Sequence, residues 1–262
     1  MGVLNVTPDS FSDGGAYPTP QSAVAAALAM ATAGAQIIDV GGESTRPGSG
    51  SPGVATELSR VIPVITELRR VSSVLISVDT SEPDVMRAAV AAGADMLNDV
   101  RALTRPGALA AAAEVGVPVS LMHMQGTPET MQQRPHYRDV VGEVLAFLRE
   151  RVAGCVAAGI PPDSLILDPG FGFGKNLEHN LALLRHLDVF VAEGLPVLAG
   201  LSRKGLISQL AGDPQVPASG RLGGSLALAL QARASGARIV RVHDVLPTVQ
   251  AFRIMDAIEN NS

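Results

Sequence analysis

The sequence has no tryptophan, one cysteine, two tyrosines and six phenylalanines. Any core must therefore be aliphatic, and with 47% of the residues hydrophobic there is material for a large one. The lone Cys155 excludes an intrachain disulfide, so cysteine usage gives no sign of an oxidising compartment. No run of Lys and Arg offsets the formal charge of −5, which argues against nucleic acid or an anionic membrane as a partner. The longest apolar run, Ala23 to Ala31, falls far short of the roughly 20 residues that span a bilayer. Nor does the N-terminus join a basic stretch to an apolar one, so no signal peptide is expected and a cytoplasmic protein is the default. HExxH, CxxC and EF-hand patterns are absent and the five histidines are scattered, which leaves no basis for a structural zinc site.

What the sequence does contain is a repeated unit. Small residues, a Gly-Ala or Gly-Ile step and a short aliphatic run ending in a polar residue recur. The copies are AGAQIIDVGG at 33–42, AGADMLNDV at 92–100, SGARIVRVHD at 235–244 and, more loosely, AGIPPDSLILDPG at 158–170. Each reads as a helix closed by glycine and followed by a buried strand. Filling in weaker units predicts strands near 2–6, 36–40, 74–79, 95–99, 117–122, 164–168, 196–200 and 238–242. Ala- and Leu-rich helical stretches lie between them, with starts marked by Thr19-Pro20, Ser81-Glu82-Pro83 and Arg105-Pro106. Eight apolar strands alternating with helices in 262 residues favour a single-domain α/β protein, a (β/α)8 TIM barrel spanning 1–262, over an open doubly wound sheet. Four longer loops, 7–18, 41–53, 123–137 and 169–177, each follow a strand, which puts them on one face of such a barrel.

The strands end in polar side chains: Asn5, Asp39, Asp79, Asn98 with Asp99, His123, Asp168, Ser202 with Lys204, and Arg241 with His243. Taken singly, each could simply begin a loop. A ring of acids, amides and cations converging on one mouth reads as a polar ligand site. GFGFGK at 170–175 is not a P-loop, which would need Gly at 169 and Ser or Thr at 176, where Pro169 and Asn176 stand. Lys204 at the end of the seventh strand leaves a Schiff-base aldolase open on spacing alone.

Four segments narrow the choice: NVTPDSFSDGG at 5–15, GGESTRPGS at 41–49, LDPGFGFGK at 167–175, and GLSRK with RVHD at 200–204 and 241–244. Together, and in order over essentially the whole chain, they resemble the dihydropteroate synthase family of bacterial folate biosynthesis. The sequence begins almost at the first strand, whereas the family usually carries a segment before it. The resemblance implies a transferase that joins 6-hydroxymethyl-7,8-dihydropterin diphosphate to 4-aminobenzoate. It also implies Mg²⁺ at Asn5 as cofactor, small-molecule substrates and a homodimer. By the same resemblance Asp168 grips the donor edge of the pterin, Asn98 and Asp79 complete its contacts, Lys204 donates to its acceptor side, and Met122 lines the pocket. Arg241 and His243 hold the diphosphate. Asp13, Arg46 and Lys204 carry the catalytic work, with Thr45, Pro47, Phe173, Ser202 and Arg203 shaping the 4-aminobenzoate pocket. Two other readings share the pterin contacts: a methyltetrahydrofolate corrinoid methyltransferase and a non-catalytic pterin-binding protein.

Overall fold

The repeated unit explains the architecture. The structure is a computed structural model and describes residues 1–6, 19–43, 53–127 and 130–259. In all four copies of the repeat the glycine has a positive φ: Gly34 at 106°, Gly93 at 112°, Gly159 at 94° and Gly236 at 98°. The following amide reaches back five residues, as in Ala35 N–H to the Met30 carbonyl at 2.9 Å and Ala237 N–H to that of Ala232 at 3.0 Å. This is a Schellman closure, which turns the chain off the helix and into the next strand. A side chain bearing Cβ would meet strain at these positions.

Eight strands follow from it: β1 (Gly2–Asn5), β2 (Ile37–Gly41), β3 (Leu75–Asp79), β4 (Met96–Asp99), β5 (Val119–Met122), β6 (Leu165–Asp168), β7 (Leu198–Ala199) and β8 (Ile239–Val240). The first six pair in parallel in chain order, and β7 pairs with β8. Two single bridges join these pieces into a ring, Leu167 to Val197 and Gly2 to Val242. Across the second seam Val3 N–H donates to the Val242 carbonyl at 3.0 Å, and Val242 N–H to that of Met1 at 2.9 Å. The result is the (β/α)8 barrel expected from the sequence.

Ten α-helices are seen among the described residues: α1 (Pro20–Thr32), α2 (Val54–Val71), α3 (Pro83–Ala91), α4 (Ala108–Val115), α5 (Val140–Ala157), α6 (Leu177–Arg185), α7 (Leu187–Val191), α8 (Gly205–Leu210), α9 (Leu222–Ala234) and α10 (Val245–Glu259). Thr19 caps α1 through a reciprocal pair with Ser22, as its position before Pro20 predicts. Aliphatic side chains fill the space between sheet and helices, among them Leu4, Ile38, Ile65, Leu68, Ile76, Leu97, Leu121 and Leu165, all fully buried. The absence of tryptophan is met by Leu, Ile and Val packing, with the fully buried rings of Phe171 and Phe190 beside them.

The boundaries differ from expectation in two places. Strands predicted over 196–200 and 238–242 form ladders of only two residues each. Their flanks are taken by the seams instead: Val197 bridges Leu167 on β6, and Val242 bridges Gly2 on β1. The helix expected to start at Arg105-Pro106 begins at Ala108, because Gly107 adopts φ 84° and caps it in the left-handed region.

Candidate active site

The parallel register aligns the strand ends. Asn5 on β1 is the ladder partner of Gly41 on β2, Gly41 of Asp79 on β3, and Asp79 of Asn98 on β4. On the other side Met122 on β5 pairs with Asp168 on β6. Gly41 stands between Asn5 and Asp79 in this row, 3.5 Å from Asn5 Oδ1 and 3.7 Å from Asp79 Oδ2 as measured from the place of its missing Cβ.

A cleft of about 470 Å³, open to solvent, lies over this face. Asp79, Asn98, Met122, Asp168, Phe173, Ser202, Lys204, Arg241 and His243 all line it. Nine residues singled out in the sequence are thereby brought together. Beyond the short β8, Arg241 and His243 still share one side, because the Val242 between them turns into the core.

Asp168 is buried, and its Oδ1 accepts the Gly170 N–H at 2.7 Å. Burial pushes its carboxyl up to about 6; the Gly170 N–H, Lys204, Lys175 and Arg241 pull the other way. Asn98 donates one amide hydrogen to Asp39 Oδ2 at 3.2 Å, which orients the side chain with its carbonyl oxygen open to a ligand. Lys204 Nζ sits 4.0 Å over the ring of Phe173, a cation–π contact. Burial and the nearby Arg241 lower its ammonium to about 8. The cleft thus holds a carboxylate and an amide carbonyl, which accept, facing an ammonium, which donates.

The other corner is cationic. Arg241 donates from Nε to Asp39 Oδ2 at 2.6 Å and from Nη2 to Asp79 Oδ2 at 2.9 Å. These bonds hold the guanidinium in a fixed plane, and against the cost of burial the charges of Asp39 and Asp79 keep it protonated. Asp79 itself is pushed above the usual carboxylate range by burial, against the pull of Arg241. His243 Nδ1 lies 3.1 Å from Ser202 Oγ, which also accepts the His243 backbone N–H; with the hydroxyl donating to Nδ1, the ring would present Nε2–H to a ligand. Burial and Arg241 depress the imidazole to about 3, so it stands neutral in the free protein.

Arg203 behaves differently from expectation. Its φ of 58° turns it out of line with Ser202 and Lys204, and its guanidinium binds Asp244, Nε to Oδ2 at 2.9 Å. It does not line the cleft. Asn5 borders the cleft through Gly41 and Asp79 without lining it. Asp13, Thr45, Arg46 and Pro47 lie outside the described residues.

Two residues central to the site received no role from the sequence. Asp39, wholly buried, orients both Arg241 and Asn98. Its signal was its place at a strand end. Lys175, buried beside the cleft, belongs to the GFGFGK run, and its signal was composition: of 20 basic residues only it and Lys204 are lysines.

Known proteins match this arrangement along its length. Residues 1–243 match the family described as pterin binding enzyme. The dihydropteroate synthase of Escherichia coli strain K12 is 55% identical over 257 residues, covering 98% of this chain and 90% of that protein. A Yersinia pestis dihydropteroate synthase, solved with a sulfonamide drug complex, superposes with a TM-score of 0.95 at 49% identity over 99% of this chain and 94% of its own. The Xanthomonas albilineans enzyme has been solved with 4-aminobenzoic acid (TM-score 0.92, 52% identity) and with 7,8-dihydropteroate (0.89, 49%), in both cases over 99% of this chain and 92% of that one. Fold, cleft chemistry and near-complete coverage agree, and this chain belongs to the dihydropteroate synthase family of pterin-binding enzymes.

Proposed function

We propose that this chain transfers the pterinylmethyl group of 6-hydroxymethyl-7,8-dihydropterin diphosphate to 4-aminobenzoate, giving 7,8-dihydropteroate and diphosphate in folate biosynthesis. The observation that carries this is the pairing, in one cleft, of an acceptor wall at Asp168 and Asn98 with a cationic corner at Arg241, His243 and Ser202. A reader of pterin alone, such as a methyltransferase, has no use for the second half.

Asp168 takes the ring's N–H and exocyclic amine in two parallel bonds, as a carboxylate takes a guanidinium edge. The Asn98 carbonyl accepts a further ring donor, Lys204 donates to the ring's acceptor side, and Met122 packs against the plane. Asp79 shares this wall and keeps Arg241 in place. Arg241 and the Nε2–H of His243 receive the diphosphate as the C–O bond breaks and negative charge moves onto it. The amine of 4-aminobenzoate then forms the new C–N bond and loses a proton. Asp13 balances the cationic methylene and Arg46 pairs with Asp13 or the arylamine's carboxylate. Thr45, Pro47, Phe173 and Ser202 shape the second pocket, and Arg203 borders it.

Mg²⁺ fits the donors here. Asn5 Oδ1 is a hard oxygen beside the anion corner, and diphosphate oxygens complete such a shell. Bound, the ion screens the diphosphate charge. Exposed Leu246 (53%) and Ile254 (61%) on α10, with Leu222 at the start of α9, support a homodimer through this face. The cytoplasm, where folate intermediates are made, is the compartment proposed. Among the described residues no helix is long and apolar enough to cross a membrane.

The test is direct: both substrates with Mg²⁺ must yield dihydropteroate and diphosphate in equal amounts. Release of diphosphate without dihydropteroate would refute the transferase reading. Light scattering of the purified chain checks the dimer.

A further inference from the structure

The β6 loop is built around one buried ammonium. Lys175 Nζ donates to the carbonyls of Gly170 (2.9 Å), Phe173 (3.0 Å) and His123 (3.2 Å), and lies 2.9 Å from His123 Nδ1. Its three hydrogens are thus shared among three carbonyls and the His123 ring nitrogen, from the two loops after β5 and β6. The loops interlock around it. A Cβ on Gly170 would lie 1.9 Å from the His123 carbonyl oxygen, and one on Gly174 would lie 2.3 Å from that of Gln125. Side chains cap the remaining turns: Gln132 donates to the Gly172 carbonyl, Tyr137 to that of Gly174 and Asn180 to that of Lys175.

What this loop supports is the cleft. Gly170 sits between the two charges: its N–H binds Asp168 and its carbonyl binds Lys175. Phe173 and Gly172 form the shelf on which Lys204 lies, with Lys204 Cδ 3.1 Å from where a Gly172 Cβ would stand. We propose that Lys175 is a positioning residue for pterin recognition, a buried ammonium that locks the β5 and β6 loops together and, while charged, favours the ionised Asp168 carboxylate. The assignment rests on the pterin reading of the cleft.

The surroundings support the electrostatic half. Asp168 feels Lys175, Lys204 and Arg241, all of which favour its ionised form. Lys175 feels Asp168, which favours its charge, and Lys204, which opposes it; His123, held near 3 by burial and Lys175, adds no charge of its own. Burial lowers the Lys175 ammonium to about 7, so it is charged over the range in which Asp168 titrates. Removing it must raise the pH at which Asp168 ionises.

The experiment measures pterin affinity from pH 5 to 8 for wild type, Lys175→Met, Lys175→Gln and Tyr137→Phe. Glutamine keeps two N–H donors without charge, and Tyr137→Phe deletes only a neutral loop bond. Both lysine variants are expected to bind at least tenfold more weakly at pH 6, with the acid midpoint raised by half a pH unit or more. Tyr137→Phe should keep the wild-type midpoint. An unmoved midpoint in either lysine variant, or an equal shift in Tyr137→Phe, overturns the proposal. Wild type that binds no pterin refutes the reading of the cleft instead. Should both lysine variants unfold, ¹⁵N-lysine labelling of the wild type decides, since only two lysine signals exist. A slowly exchanging ammonium beside the Lys204 signal is expected at pH 6, and two freely exchanging ones overturn the assignment.

Discussion

Changing Asp168 to Asn tests the acceptor wall with little change of shape. In the wild type Oδ1 already holds the Gly170 N–H at 2.7 Å. An asparagine would turn its only acceptor to that amide and present its NH₂ to the pterin's donor edge, donor against donor. The loss is a charged two-bond contact plus a buried donor left unpaired, on the order of 3 kcal/mol or more, which is upwards of a hundredfold in affinity. The wild type adds a pH signature. Its carboxyl titrates near 6, raised mainly by burial, and the ligand needs the ionised form. Affinity should therefore be near its plateau at pH 7 and about tenfold lower at pH 5, where roughly a tenth of Asp168 is charged. Calorimetry with a pterin that does not itself titrate in this range reads both effects. A loss under twofold in Asp168→Asn, or a wild-type affinity flat from pH 5 to 7, would falsify the assignment.

Other expectations concern anion binding, packing and a buried acid. Arg241→Ala should lower turnover by roughly 10²–10³ and weaken diphosphate binding, with plain pterin affinity kept within threefold; equal loss for both ligands makes Arg241 structural. Gly170→Ala puts a methyl against the His123 carbonyl at φ 69° and should destabilise the fold by about 3 kcal/mol or more, whereas Gly116→Ala, in open space at φ 66°, should cost only about 1 kcal/mol. Thermal unfolding that ranks them equally contradicts the loop packing. Glu57 has both oxygens buried with no hydrogen bond of good geometry among the described residues, and burial raises its carboxyl to about 7 against the pull of the nearby Thr80 hydroxyl. With the folded value above the unfolded one, Glu57 favours folding at low pH and loses that contribution as pH climbs from about 4.5 to about 7. Glu57→Gln should therefore unfold in urea much like wild type at pH 4.5 and be more stable by about 2–3 kcal/mol at pH 8. A gap independent of pH refutes it.

How far the sequence could be read depended on the kind of contact involved. The glycine of the repeated unit was legible because a Schellman closure imposes a local, residue-specific demand. Strand ends were legible because a parallel barrel sends their polar residues to one mouth. Contacts between distant units were not. The role of Asp39 depends on Arg241, 202 residues away, and no local pattern encodes that partnership. Arg203 and Lys204 are adjacent in a motif, yet one left-handed residue sends the first to Asp244 and leaves the second in the cleft. The alternating glycines of GFGFGK could be excluded as a P-loop, but their purpose, threading between the carbonyls of the β5 loop, is visible only in three dimensions.

The seam between β1 and β8 bears on how the chain folds. Arg241 is the counter-charge for Asp39 and Asp79, and it arrives with the last strand. A chain that has made only β1 to β6 lacks the cation that pairs with Asp39 and Asp79, so burying these two acids there costs desolvation with no counter-charge. Such an intermediate gains little by collapsing early. Closure then supplies the guanidinium and the Gly2–Val242 bridge together, so the ring should shut as one cooperative event rather than strand by strand. In native-state hydrogen exchange the amides of Val3, Arg241 and Val242 would open as a single unit, and the anion corner would exist only in molecules whose barrel is complete.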